Sequence, residues 1–136
     1  MINIFVDTFA FISLFNEDDH YHKKSSEINN YYLEHGVYYV TTNFVLDESI
    51  TLLRRYLNHS AVVQFYKTVK SSNVFEFIHI TEHIENTAWN IFEKYSDKDF
   101  SFTDCTSFAV MNDNKINKVF THDHHFEQMG FEILIK

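Results

Sequence analysis

The chain contains no proline and only 2 glycines among its 136 residues. That scarcity leaves little material for a long linker, because flexible linkers draw on glycine and serine and stiff ones on proline. The length suits one hydrophobic core, so the expectation is one domain over residues 1–136. One cysteine, Cys105, excludes an internal disulfide and favours a reducing compartment. No apolar run approaches the ~18 uncharged residues of a membrane span. The apolar start, MINIFVDTFAFISLF, has neither a basic leading segment nor a small-residue cleavage site. The expected setting is the cytoplasm, with no membrane partner. Positive charge is also scarce: 11 Lys and Arg stand against 19 Asp and Glu, a formal net charge of -8. A general nucleic-acid binder shows the opposite excess. An enzyme that gathers carboxylates around a cation, however, looks equally acidic when the metal is left out of the count.

What the chain does have is apolar and aromatic pattern. INIFVD (2–7), VYYVT (37–41), VFEFIHI (74–80), KVFT (118–121) and FEILI (131–135) read as strands. Helices are expected over 8–15, from about His20 to Glu34 with Gly36 as terminator, and over 43–57 after Thr41 and Thr42 as caps. Three more are expected over 60–71, 81–95 and 101–114. Strands alternating with helices point to an α/β fold with a central, mostly parallel sheet of about four to five strands between helical layers. In such sheets functional groups collect at the carboxyl ends of the strands.

Four acids fall at those ends. Asp7 closes the first strand, Asp123 follows KVFT, Glu48 lies early in the helix after VYYVT, and Asp104 lies in the first turn after Ser101. Converging carboxylates raise each other's pKa and cannot all stay ionised without a cation. Hard oxygen ligands select Mg²⁺ or Mn²⁺. Each acid also has a purely structural role open to it. Asp7 can cap a helix, Ser101-x-x-Asp104 is close to a capping box, Glu48 can pair with Arg55, and Asp123 can shape a turn. Asp47, beside Glu48, faces another way on a helix, so only one of the two is expected in the site; Glu48 shares a face with Arg55.

FVDTFAFISLF, NFVLDESITLLRR, YSDKDFSFTDCTSFAVM and VFTHDHHFEQMGFEIL resemble, in this order, the acidic motifs of the PIN-domain ribonucleases, in particular the stand-alone and VapC-toxin-like branch. The resemblance implies an α/β/α fold and metal-dependent endonucleolytic cleavage of RNA. It places the acidic quartet, catalytic and metal-binding, on Asp7, Glu48, Asp104 and Asp123. Thr8, Thr103 and Thr121 correspond to its hydroxyl residues beside the acids, with Asp99 a supporting acid and Arg55 a candidate phosphate contact. It further implies an RNA substrate, a cognate antitoxin protein and a homodimer. The alternative within the fold is an RNA- or antitoxin-binding module with little or no cleavage. A haloacid-dehalogenase-like phosphatase is disfavoured, because Phe9 occupies the position of its second aspartate.

His122, Asp123, His124 and His125 raise a separate question. A zinc or iron site needs convergent ligands from separated positions, whereas these are adjacent. Asp123 is therefore expected to be the functional member and the histidines its neighbours. Cys105, Trp89 and the phenylalanines at 92, 100, 102 and 108 are expected in the core. Tyr21, Tyr31, Tyr32, Tyr38 and Tyr39 are weak candidates for base stacking.

Overall fold

All five expected strands enter one sheet. A computed structural model describes residues 1–136. Its strands are β1 (Ile2–Val6), β2 (Val37–Thr42), β3 (Phe75–Ile78), β4 (Lys118–Phe120) and β5 (Glu132–Ile133). Seven helices flank them: α1 (Thr8–Phe15), α2 (His22–Glu34), α3 (Asn43–Tyr56), α4 (His59–Lys70), α5 (Glu82–Lys94), α6 (Phe102–Asp113) and α7 (His125–Gln128). The order is β3-β2-β1-β4-β5 and every pairing is parallel. The chain thus builds outward from β1 on one side, then crosses to build β4 and β5 on the other. Connections leave β1 and β4 in opposite directions, which opens a crevice at their carboxyl ends. Asp7 and Thr121 are the first residues past those two strands.

The helix starts follow local chemistry. Thr42, Asn58, Thr81 and Ser101 each accept a hydrogen bond from a backbone N–H in the first turn of α3, α4, α5 and α6, satisfying donors that the helix cannot. Gly36, at φ +81, ends the turn after α2 in the left-handed region that a side chain disfavours.

α6 is the central helix. All residues from Cys105 to Met111 are buried, so it is covered on every side rather than amphipathic. Phe108 packs edge-on against Phe100 at 5.0 Å and Phe126 at 4.9 Å, and stacks with Phe131 at 5.9 Å. This cluster ties the start of α6 to α7, a short helix that no periodicity in the sequence announced. Two expected core residues are not core: Trp89 is 52% exposed and Phe92 is 40% exposed. They stack on each other at 5.6 Å on the outer face of α5, where the 3.6-residue period leaves only Ala88 fully buried. Tyr39 is buried beneath Phe75 and is closed to bases, whereas Tyr31 lies on the surface against His35.

Candidate active site

The crevice at the switch point is a cleft of about 630 Å³. Asp7, Asp19, Glu48, Asp99, Asp104 and Asp123 line it, with His122 and His125, and no lysine or arginine does. The four expected acids therefore meet in one cavity, brought there from α1, α3, α6 and the β4–α7 loop. Asp47 is exposed while Glu48 is half-buried on the cleft side.

Asp7 is 5% exposed and occupies the N-cap position of α1 without a side-chain cap bond. Its carboxylate is held instead from across the crevice, where the Thr121 hydroxyl donates to Oδ2 at 2.8 Å. The same Thr121 oxygen accepts the Asp123 N–H at 3.1 Å. One buried hydroxyl thus ties the β1 acid to the β4 acid. Burial pushes the Asp7 carboxyl up to about 7, and the charge of Asp104 and then of Asp123 adds to this, while Thr121 and the Thr8 amide pull it down. The raised value reports a carboxylate without a countercharge. Thr8 lines the cleft beside it with a buried hydroxyl that has no partner.

Asp104 both closes a cap and lines the cleft. Ser101 Oγ accepts the Asp104 N–H at 3.0 Å, and Asp104 Oδ2 accepts the Ser101 N–H at 3.1 Å, a closed capping box. The box fixes the rotamer that presents the carboxylate to the cleft, and the side chain keeps 13% exposure. Burial raises its pKa and Asp123 adds to the rise, against the lowering effect of Ser101 and His125. The adjoining Cys105 thiol is pushed up to about 11 by burial and then by Asp104, so it stays protonated and is a packing group rather than a nucleophile.

The three histidines separate into three roles. His122 Nδ1 lies 3.0 Å from the Ile135 carbonyl and Nε2 lies 3.1 Å from the Tyr21 hydroxyl. A carbonyl can only accept, so Nδ1 donates, and in the neutral ring Nε2 accepts from Tyr21. His122 is a clamp between the C-terminus and the start of α2, its ring packed at a tilt against Tyr21 and Phe9. His124 is exposed and pairs with Glu127. His125 turns inward: Asp123 Oδ1 accepts its N–H at 2.9 Å, closing the turn into α7. Its ring then stands edge-on to Phe100 at 5.4 Å. Nδ1 lies 3.2 Å from Asp123 Oδ1 and 3.5 Å from Asp104 Oδ2. Donor atoms of Asp104, Asp123 and His125 all fall within 4.8 Å of one another. Sequence reasoning had left His125 as a neighbour. Its inward direction depends on α7, although Asp123 followed by a histidine two positions on was the available signal.

The remaining expected residues lie further out. Asp99 is exposed at the cleft edge. Thr103 is half-buried outside the lining, its carbonyl accepting the Thr106 hydroxyl at 2.6 Å. Arg55 is exposed, does not line the cleft and makes no ion pair with Glu48. Tyr56 lines the cleft at that end of α3 instead.

The donor set suits a hard or borderline divalent cation. It has several carboxylate oxygens in one partly buried cavity, an imidazole nitrogen beside two of them, and no fixed positive side chain to neutralise them.

Comparison with known proteins identifies the family and the fold. The PIN domain family model matches residues 4–132. The 23S rRNA-specific endonuclease VapC20 of Mycobacterium tuberculosis, in strains CDC 1551 / Oshkosh and ATCC 25618 / H37Rv, is 33% identical over 128 residues. The match covers 94% of this chain and 95% of the relative. The crystal structure of M. tuberculosis VapC20, described as a Sarcin-Ricin loop cleaving toxin, superposes with a TM-score of 0.85 at 32% identity, over 94% of this chain and 95% of that one. FitAcB from Neisseria gonorrhoeae shares the fold at a TM-score of 0.70 and 14% identity, each chain covered to 96%.

Proposed function

The chain belongs to the PIN-domain family, and from that premise we propose that it is a divalent-metal-dependent endoribonuclease acting as the toxin of a toxin–antitoxin pair. The observation that carries this reading is the convergence of Asp7, Glu48, Asp104 and Asp123 on a cleft without a basic lining residue. A divalent cation bound there, Mg²⁺ or Mn²⁺, supplies Lewis acidity for water activation and countercharge for the scissile phosphate. The chain's own residues do the positioning. Asp7 and Asp123 are kept in register by Thr121, Asp104 is locked by its capping box, and Glu48 closes the cleft from α3. Thr8 lines the same cleft and has a buried, unpartnered hydroxyl, which would reach a phosphate oxygen or a water after a side-chain rotation. Thr103, Asp99 and Arg55 complete the proposed set at the periphery, with Arg55 meeting the RNA backbone outside the cleft.

RNA is the proposed substrate, and 23S rRNA is the first target to test because the VapC20 relatives carry that specificity in their name. A ribosomal RNA target would put its site of action in the cytoplasm; no helix is long and apolar enough to cross a membrane. The proposed partners are a cognate antitoxin and a second copy of the chain. For the latter, the exposed Trp89–Phe92 pair continues through Phe102 to Phe44, each step 6.4 Å between ring centres, forming the kind of apolar patch that marks an interaction surface.

The test incubates purified protein with 23S rRNA and with single-stranded RNA, in Mg²⁺, in Mn²⁺ and in EDTA. Cleavage should require the metal and should fall at least ~100-fold in Asp7→Asn and in Asp104→Asn, since each removes a carboxylate that would hold the cation facing the phosphate. Cleavage that persists in EDTA, or in both variants, defeats the reading.

A further inference from the structure

Three histidines stand beside the acids, and only one of them has a ring nitrogen left for the cleft. His122 uses both of its nitrogens, on Ile135 and Tyr21. His124 is turned out to solvent with Glu127. His125 is different in a specific way. Its Nδ1 is close to Asp123 Oδ1 at 3.2 Å and to Asp104 Oδ2 at 3.5 Å, yet it forms a directed hydrogen bond to neither. A histidine recruited only as a counter-ion would align its N–H on one carboxylate. One donor atom from each of the three residues lies within 4.8 Å of the other two. In an octahedral shell with bonds of about 2.1 Å, adjacent donors are about 3 Å apart. The two histidine–carboxylate separations are close to that spacing before any ion is present.

Resting on the metal-nuclease reading above, we propose that His125 is itself a ligand of the catalytic cation through Nδ1, giving the site a mixed oxygen–nitrogen donor set with Asp104 and Asp123. The fold supplies what such a ligand needs. The Asp123 side chain fixes the backbone of His125, Phe100 holds the ring edge-on, and the buried Phe126 that follows anchors α7 against Phe108. An imidazole nitrogen is a better partner for first-row transition ions than for Mg²⁺, which favours oxygen and water. His125 therefore tilts the site toward Mn²⁺ and its neighbours in the series.

Pulsed electron paramagnetic resonance of the Mn²⁺-loaded protein reads the ligand directly. The wild type should show nitrogen modulation from imidazole that changes on ¹⁵N-histidine labelling. The modulation should vanish in His125→Ala and persist in His124→Ala. Calorimetric titration should show Mn²⁺ binding weakened by about 10-fold or more in His125→Ala, with Mg²⁺ binding changed much less. The wild-type spectrum needs no variant, and circular dichroism verifies that His125→Ala is folded; its ring is partly exposed and its backbone cap is unaffected. If Mn²⁺ binds the wild type without nitrogen modulation, or if the modulation survives in His125→Ala, the assignment is wrong while the carboxylate site stands. Failure of any divalent ion to bind the wild type overturns both this assignment and the metal-nuclease reading.

Discussion

Replacing Asp7 with asparagine should stabilise the metal-free protein at neutral and alkaline pH while abolishing its gain in stability from metal. Asp7 is 5% exposed, and its folded-state pKa rises from 3.8 to about 7. The unfolded chain ionises this carboxyl near its ordinary value, so between pH 3.8 and about 7 the folded state holds the extra proton. Stability must then fall as pH rises across that window and level off above it. The displacement corresponds to roughly 4 kcal/mol, an upper figure for a site that relaxes or hydrates when charged. Asparagine has the same shape and no charge, and the Thr121 hydroxyl can rotate to meet either end of its amide. The difference between Asp7→Asn and wild type should thus be small at pH 4, reach about 1–2 kcal/mol at pH 5 and grow to a few kcal/mol by pH 8, by urea denaturation in EDTA. Saturating Mn²⁺ should reverse the order, because only the wild type gains RT ln(1 + [L]/Kd) in full. Equal destabilisation by the substitution at pH 5 and pH 8 in EDTA would refute the uncompensated-carboxylate argument.

Thr121→Val keeps the shape but removes both bonds that join Asp7 to the Asp123 loop. It should lower stability by about 2 kcal/mol, since a bond to a carboxylate is lost and the Asp123 amide is orphaned, and calorimetry should show weaker Mn²⁺ binding. Tyr21→Phe removes the donor to His122 Nε2; a loss of about 1 kcal/mol in urea denaturation is expected, with metal binding unchanged by calorimetry. Phe126→Ala empties a fully buried position that seats α7, so it should cost about 3–5 kcal/mol in denaturant and reduce metal affinity along with it. Trp89→Glu puts a charge in the exposed aromatic patch, and sedimentation equilibrium should show it monomeric if that patch joins two copies.

The α/β alternation, the parallel sheet and the four acids were all legible in the sequence. The reason is local: five β-branched and aromatic runs separated by capped helical stretches allow few other arrangements. Strand-end position then constrains where Asp7 and Asp123 can lie. Other features were not local. Trp89 and Phe92 look like core by composition, but their exposure depends on which face of α5 the neighbouring α6 covers. Asp104 was weighed as either a cap or a site residue, and the capping box and the cleft turn out to use the same carboxylate.

THDHHF, residues 121–126, marks the boundary between the two kinds of information. By itself the sequence determined that an acid would stand at the end of β4, because an apolar strand must stop where its polar residues begin. Only tertiary structure assigned the histidines. His122 is held by the distant Tyr21 and Ile135, and His125 by a turn that Asp123 and the Phe108 cluster close together. Tyr21, Ile135 and Phe108 are distant in the chain, so the local spacing, which did offer Asp123 two positions before His125, could not alone distinguish a clamp, a surface ion pair and an inward-facing ring.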